Sequence, residues 1–437
     1  MKTLIGALAC AAALAAWSVA WAGELEPGKP EETGLSPQRL ERIGHVFQQE
    51  VDQGRIPGAV LLIARDDKLV YAETFGMQDK AAGKQMSNDA IFRIYSMTKP
   101  LVTVAALSLM EEGKIELTDP VSKYLPQLAT LQVSIAKTDP YGKVTYTLAP
   151  AERPPTIQDL MRHTAGFAYG EITGDAQVRQ AYARGGLFRP EADYDARDLT
   201  PEEEVENLAK APLIHQPGTT WEYGLAVDVL GRVVEKASGM RLEDFLAERL
   251  LKPLGMKDTG FYVPKKQIGR LAQLFAIDPA SGNPNKVLDV STPPKNASGG
   301  AGGVSTAMDY MRFSQMLLNG GELDGARILS PTTVRLMTSD QLGELQRVVE
   351  PGELLRGVKG YTFGLGVAVR KSDGIAGVPG SQGDFTWAGA AGTYFWVDPR
   401  QHLAAVMMTQ VPGPSRPYYR RLFRQLVYGA IVDSPNE

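Results

Sequence analysis

Ser96 and Lys99 are the first residues whose types and spacing suit catalysis. They belong to Ser96-Met97-Thr98-Lys99, and residues three apart share one face of an α-helix. An amine beside a hydroxyl can take its proton when burial keeps part of the lysine neutral. The pair therefore predicts an activated serine nucleophile.

The same spacing recurs at Ser134 and Lys137, so context has to separate the two pairs. Pro100 opens a long apolar stretch after Ser96, and proline is tolerated in a first helical turn, which predicts a helix beginning near Ser96. The positive N-terminus of such a helix favours a developing oxyanion. Ser134 instead lies in a short strand or surface segment that runs into a turn. We therefore predict that Ser96 is the nucleophile and Ser134 is structural.

Two further segments carry groups that could assist a serine nucleophile. Tyr223 directly precedes an amphipathic helix predicted over 226–237, and a tyrosine beside a lysine ammonium could carry the serine proton to a leaving group. Trp387-Ala388-Gly389-Ala390 lies in a glycine- and alanine-rich stretch predicted to start a strand, where small residues admit a substrate. The Ala390 amide is a candidate partner of the Ser96 amide in an oxyanion hole. A core tyrosine and a tightly packed strand are the alternatives.

The elements that would position these residues form two strand-rich blocks around a mainly helical middle. A helix from Pro37 to about Gln53 precedes strands at 59–64 and 69–73, and the far block comprises strands at 362–370, 392–398 and 403–409 and a closing helix around 418–431. One antiparallel sheet flanked by helices, with an inserted helical lobe, is the simplest arrangement. We predict an α/β (α+β) fold with a sheet lobe at about 23–95 and 300–437, a helical lobe at about 96–299, and a cleft between them.

Residues 1–22 are predicted to be a cleavable signal peptide. Lys2 is followed by an apolar run and then by Ala20-Trp21-Ala22, a small-x-small cleavage site. Cleavage would leave Gly23 first and predicts a periplasmic or secreted protein without integral membrane association. The alternatives are a retained membrane anchor and a lipoprotein modified at Cys10.

Composition argues against several other classes. A net charge of −4 gives no basic footprint for nucleic acid. The four histidines have no metal-ligand spacing, so no metal or other cofactor is predicted. No G-x-S-x-G sequence occurs, which argues against the nucleophile elbow of the α/β-hydrolases. The expected partner is a small-molecule substrate, and the oligomeric state stays open.

Taken together, Ser96-Met-Thr-Lys99, Tyr223-Gly-Leu225 and Trp387-Ala-Gly389 resemble the three motifs of the serine β-lactamase and penicillin-binding superfamily. The likeness is greatest to class C β-lactamases and family VIII carboxylesterases. Segments similar to that family's framework are 156–167, 217–218, 254–260 and 299–306. The resemblance implies a β-lactamase-like fold and an acyl-enzyme on Ser96, with Lys99 and Tyr223 sharing the role of base.

Two departures from the β-lactamase pattern bear on the substrate. Leu225 replaces an asparagine that would bind an acylamino group, and Trp387 replaces a lysine that would bind a carboxylate. A Trp-x-Gly third motif is similar to that of family VIII esterases, which makes Trp387 and Gly389 substrate-binding candidates. We therefore expect hydrolysis of carboxylic esters with short acyl chains, and weak β-lactam turnover stays open as a side activity. A β-lactamase or D,D-peptidase, an acyltransferase and a catalytically silent binding protein are the alternatives.

Two loops are expected to shape the substrate pocket. They are 171–201, predicted as an irregular insertion, and 342–360. His163 and Tyr169 are candidates for the lining of the cleft, and no catalytic role is assigned to either.

Overall fold

The fold is organised around a large antiparallel sheet, seen in a computed structural model that describes residues 25–189 and 197–433. The helices are α1 (Pro37–Asp52), α2 (Thr98–Glu111), α3 (Ile157–Met161), α4 (Ala176–Arg184), α5 (Pro201–Lys210), α6 (Ala226–Ser238), α7 (Leu242–Leu246), α8 (Ala307–Leu318), α9 (Pro331–Met337), α10 (Pro351–Arg356) and α11 (Arg416–Gly429). The strands are β1 (Gly58–Arg65), β2 (Lys68–Asp79), β3 (Lys84–Gln85), β4 (Phe92–Tyr95), β5 (Gln132–Thr138), β6 (Val144–Pro150), β7 (Thr220–Trp221), β8 (Gly303–Ser305), β9 (Glu322–Leu323), β10 (Ala326–Arg327), β11 (Gln346–Arg347), β12 (Tyr361–Phe363), β13 (Ala368–Arg370), β14 (Phe385–Ala388), β15 (Tyr394–Asp398) and β16 (Leu403–Thr409).

The main sheet joins the two ends of the chain. Its strand order is β12-β13-β14-β15-β16-β1-β2-β3. The two blocks meet where β1 pairs antiparallel with β16, in a register that runs from Ala59 opposite Thr409 to Arg65 opposite Leu403. Every residue of β1 and β16 is buried, as expected for central strands covered on both faces. The predicted single sheet built from both terminal blocks is confirmed.

Helices cover both faces of this sheet. Successive side chains of a strand point to opposite faces, and Phe395 packs on Tyr310 of α8 whereas Trp396 packs on Phe423 of α11. On the second face, α1 joins α11 through the edge-to-face contact between Phe47 and Phe423. The sheet is therefore the central layer of a helix–sheet–helix sandwich.

The predicted strand over 362–370 is wrong, because the chain reverses within it. It forms the antiparallel pair β12–β13, closed by a bond from the Gly364 amide to the Val367 carbonyl. Gly366 has a φ of +76°, and a Cβ there would lie 2.4 Å from Thr103 Oγ1. Only glycine combines this conformation with such close packing. In the same region β15 begins at Tyr394, because Gly392 is in a turn with a φ of +109°.

The segment 171–201 is not irregular throughout, because it contains α4. Asp175 caps this helix by accepting hydrogen bonds from the Gln177 and Val178 amides. The buried side chains of Val178 and Tyr182 attach the helix to the core. The predicted signal peptide, residues 1–22, lies outside the described residues. Within the described ranges, no helix has both the length and the apolar composition needed to cross a bilayer.

Candidate active site

Ser96 lies in a sharp turn between β4 and α2. Tyr95, the last residue of β4, has a φ of +44°, a conformation that a non-glycine residue rarely adopts. The turn is held by bonds from Thr98 Oγ1 to the Tyr95 carbonyl at 2.6 Å and from the Lys99 amide to the Ser96 carbonyl at 3.2 Å. The helix begins at Thr98, two residues later than Ser96, so Ser96 sits just in front of its N-terminus. Its backbone is therefore fixed by the strand on one side and the helix on the other.

Lys99 is completely buried, and its amine nitrogen has three hydrogen-bond partners. Nζ donates to the Gly300 carbonyl at 2.7 Å, to the Tyr169 hydroxyl at 2.8 Å and to Ser96 Oγ at 3.4 Å. The two shorter bonds hold the amine against Ser96, whose contact is the longest of the three.

The contact with Tyr169 is one that the sequence did not predict. Tyr169 lies 70 residues after Lys99, and the sequence predicts for it only a place in the lining of the cleft, with no catalytic role. A tyrosine at this separation has no local pattern that ties it to a lysine. The fold alone makes it a neighbour of the Ser96–Lys99 pair.

Tyr223 is brought to the same amine by the loop between β7 and α6. Its ring centre is 4.6 Å from Lys99 Nζ and 5.3 Å from the Tyr169 ring. The following residue, Gly224, packs so closely on the 167–168 backbone that a Cβ would lie 2.1 Å from the Phe167 carbonyl oxygen. Glycine at this position therefore lets the two tyrosine-bearing segments approach each other.

The loop 342–360 supports the Tyr223 segment from outside. It contains β11, which pairs in parallel with β7 so that Arg347 lies opposite Trp221. The Val348 amide extends this contact by donating to the Trp221 carbonyl at 3.2 Å. The loop thus fixes the backbone just before Tyr223.

His163 forms an apolar wall behind Tyr223, with its ring centre 4.9 Å from the tyrosine ring. It is fully buried, and burial, with the nearby Lys99 charge, keeps the pKa of His163 well below its usual value. Within residues 25–189 and 197–433, neither ring nitrogen has a hydrogen-bond partner. A neutral imidazole packed in this way serves as an aromatic side chain against Tyr223.

The third motif lies at the end of β14, not at the start of a strand as predicted. Gly389 leaves the strand and begins a turn in which the Gly392 amide donates to the Gly389 carbonyl at 3.1 Å. A Cβ on Gly389 would lie 2.3 Å from the carbonyl oxygen of Ile94, two residues before Ser96. The strand end and the Ser96 turn are thus in direct contact.

Trp387 and Ala390 lie on either side of this glycine. The Trp387 ring is 1% exposed and packs 5.4 Å from the Tyr223 ring and 5.1 Å from the Phe363 ring, between centres. Ala390 is partly exposed in the turn. Within the described part of the chain, neither its backbone amide nor that of Ser96 donates a hydrogen bond to a protein acceptor. Both amides are thus available to a substrate oxygen.

The second S-x-x-K pair has none of this environment. Ser134 and Lys137 lie on β5, and residues three apart on a strand point to opposite faces. Ser134 Oγ donates to Gln177 Oε1 at 3.3 Å, and Lys137 is exposed. The lysine amine therefore cannot serve the Ser134 hydroxyl.

The site combines a serine in a strand–helix turn with a buried lysine that is hydrogen-bonded to it and two tyrosines around the amine. These groups lie beside a central antiparallel sheet. Together they define a serine hydrolase of the β-lactamase fold. The β-lactamase family model matches residues 43–428, and the chain belongs to that family.

Similar proteins include esterases and an enzyme with acyl-transfer activity. Protein Rv1367c of Mycobacterium tuberculosis (strain H37Rv) is 37% identical, over 83% of this chain and 88% of the relative. Esterase EstB of Burkholderia gladioli is 31% identical, over 84% of this chain and 89% of the esterase. Among solved structures, EstCE1, a hydrolase with promiscuous acyltransferase activity, has a TM-score of 0.73 and 29% identity, covering 90% of this chain and 99% of its own.

Proposed function

We propose that this protein is a carboxylesterase that cleaves its substrate through an acyl-enzyme on Ser96. The observation that carries the proposal is the convergence on Lys99 Nζ, which contacts Ser96 Oγ and the Tyr169 hydroxyl and lies beside the Tyr223 ring. A buried amine held against a serine hydroxyl is the arrangement that activates a serine nucleophile without a histidine.

In the acylation step, Ser96 Oγ attacks the ester carbonyl carbon and gives its proton to the group formed by Lys99 and the two tyrosines. The carbonyl oxygen gains negative charge, which the amides of Ser96 and Ala390 would stabilise. The bond to the alcohol oxygen then breaks, and the proton passes to that oxygen. Water repeats the sequence on the acyl carbon, releasing the acid and restoring Ser96.

The apolar character of the site supports an ester in preference to a β-lactam. Leu225 is 2% exposed, so the position of the missing asparagine offers no polar side chain. Trp387 fills the position of the missing lysine with an indole packed on Tyr223. The second and third motifs therefore offer neither an amide nor a cationic side chain of their own to a β-lactam. The similarity to EstB, an esterase, points the same way, and we propose short acyl chains as the preferred substrates.

Acyl transfer to an alcohol is the second candidate. It is favoured by the similarity to EstCE1, a hydrolase described as having promiscuous acyltransferase activity. The same acyl-enzyme serves both reactions, because an alcohol can replace water as the attacking group. Product analysis with and without methanol separates them: methyl ester formation that exceeds hydrolysis would establish the transferase.

The decisive experiment compares the mature wild type with Ser96→Ala and Ser134→Ala. Each would be assayed on p-nitrophenyl esters from acetate to octanoate and on a chromogenic cephalosporin. We expect fast ester cleavage in the wild type and in Ser134→Ala, best with short acyl chains, and none in Ser96→Ala. Dominant cephalosporin turnover would reassign the enzyme as a β-lactamase, and ester cleavage that survives in Ser96→Ala would reject the nucleophile.

A further inference from the structure

The peptide bond that carries the Ala390 amide is held from behind by an arginine of α11. Arg420 is 4% exposed. Its Nη2 donates to the Gly389 carbonyl at 2.7 Å, and its Nη1 donates to the Leu355 carbonyl at 2.6 Å. The Gly389 carbonyl therefore accepts two bonds, one from Arg420 and one from the Gly392 amide, and its direction is fixed.

The direction of this carbonyl sets the direction of the Ala390 amide. The described residues contain no cis peptide bond, and in a trans peptide the C=O and the N–H point opposite ways. Because the Gly389 carbonyl points toward α11, the Ala390 N–H points away from that helix. On its other side Gly389 touches the Ile94 carbonyl, at the end of the strand that leads into Ser96.

Arg420 also brings positive charge to a motif that lacks its own. The third motif carries Trp387 and no cationic side chain. A hydrogen bond from a charged donor polarises the peptide that accepts it, so the N–H at the other end becomes a stronger donor. The Arg420 guanidinium donates to the carbonyl of the Gly389–Ala390 peptide, and the N–H of that same peptide is the Ala390 amide.

We propose that Arg420 is a positioning residue of the oxyanion hole, which orients and polarises the Gly389–Ala390 peptide so that the Ala390 amide stabilises the negative oxygen of the reacting ester. This inference rests on the proposed acyl-enzyme at Ser96. Arg420 touches no reacting atom and acts only through the peptide.

The same helix offers a matched control. Arg421 donates from Nη1 to the carbonyl of Arg356, the residue after Leu355. Like Arg420, it ties α11 to α10 through a backbone carbonyl, but it has no contact with the third motif. Arg421→Met therefore removes a comparable helix contact without touching the Gly389 carbonyl.

The test uses Arg420→Met, Arg420→Lys and Arg421→Met with two readouts. The first is kcat and KM on p-nitrophenyl butyrate. The second is the infrared band of the acyl carbonyl after reaction with ¹³C-carbonyl p-nitrophenyl pivalate, whose bulky acyl group slows deacylation. Hydrogen bonds from an oxyanion hole lower the frequency of this band.

We expect Arg420→Met to lower kcat by about 10- to 100-fold at unchanged KM, less than the loss of an oxyanion donor itself, and to move the band to higher frequency. Arg420→Lys should recover part of both effects, since an ammonium can still donate to Gly389, and Arg421→Met should match the wild type. If Arg420→Met does not fold, the partial loss and the band shift in Arg420→Lys decide the question.

Wild-type kcat in a folded Arg420→Met, or a lower kcat with an unmoved band, would overturn the inference. Failure of the proposed function has a different signature. In that case mass spectrometry after reaction with the ester would find the same result for the wild type and Ser96→Ala, with no acyl group added at Ser96. This outcome does not depend on the Arg420 variants.

Discussion

Replacing Tyr169 with phenylalanine tests whether its hydroxyl takes part in proton transfer at Lys99. The substitution removes the acceptor 2.8 Å from Lys99 Nζ and keeps the ring. Tyr169 is 5% exposed, so bulk water cannot easily take the place of the hydroxyl. A hydrogen bond that involves a charged group contributes about 1.5–3 kcal/mol. This bond is strongest when Lys99 is an ammonium, which is the form that the proposed transfer from Ser96 produces, so the loss should fall on the transition state.

Since 1.4 kcal/mol corresponds to tenfold in rate, kcat/KM should fall by about 10- to 150-fold. The assay is steady-state cleavage of p-nitrophenyl butyrate, with thermal unfolding to verify the fold. Tyr182→Phe is the matched control, because the Tyr182 hydroxyl is equally buried but accepts a bond from the Ala168 amide at 3.3 Å instead of one from Lys99. If Tyr169→Phe stays within about twofold of both the wild type and this control, the hydroxyl has no part in the transfer.

Three further predictions concern the third motif, stability and processing. Gly389→Ala should reduce kcat by at least about 100-fold in the same assay, because its Cβ would lie 2.3 Å from the Ile94 carbonyl oxygen. Gly374→Ala is the control and should retain wild-type activity, because a Cβ there meets no atom within 4 Å. Burial raises the pKa of Asp309 to about 6, above its ordinary value. This group therefore lowers the free energy of unfolding by about 2 kcal/mol as the pH rises from 4 to 7. Denaturant titrations should show that this part of the pH dependence is absent from Asp309→Asn. If the free energy of unfolding changed with pH equally in the wild type and in Asp309→Asn, the prediction would be wrong. Mass spectrometry of protein secreted by a Gram-negative host should give a chain that begins at Gly23; a retained N-terminus or an added lipid would contradict the signal peptide prediction.

The sheet could be predicted from the sequence because its signal is local. Apolar runs such as 59–64 and 403–409 have strand length and are bounded by turn residues, and β1 and β16 form where these runs lie. The hairpin β12–β13 could not be predicted in the same way. Its turn is closed by the bond from the Gly364 amide to the Val367 carbonyl, inside a run that otherwise has strand composition. Gly366 also packs closely on Thr103, more than 250 residues away in the chain, a contact that no window of sequence contains.

In the candidate site, too, the local contact could be predicted from the sequence and the long-range contacts could not. The spacing of Ser96 and Lys99 is visible because both lie on one turn of chain, and the structure places the two side chains in contact. Two of the three hydrogen-bond partners of Lys99 Nζ could not be predicted from the sequence, for different reasons. Tyr169 is 70 residues away, and the acceptor at Gly300 is a backbone carbonyl, an atom that every residue carries.

The Gly300 contact shows how distant segments jointly set the position of the amine. Asp228, buried on α6, accepts hydrogen bonds from Ser298 Oγ at 2.5 Å and from the Gly300 amide at 3.0 Å. The Gly300 carbonyl in turn accepts from Lys99 at 2.7 Å. The helix that follows Tyr223 therefore also fixes the loop that holds Lys99, so a shift of α6 would move both groups together. Such coupling keeps the distance between the Tyr223 ring and the Lys99 amine constant, as a shared part in the proposed proton transfer would require.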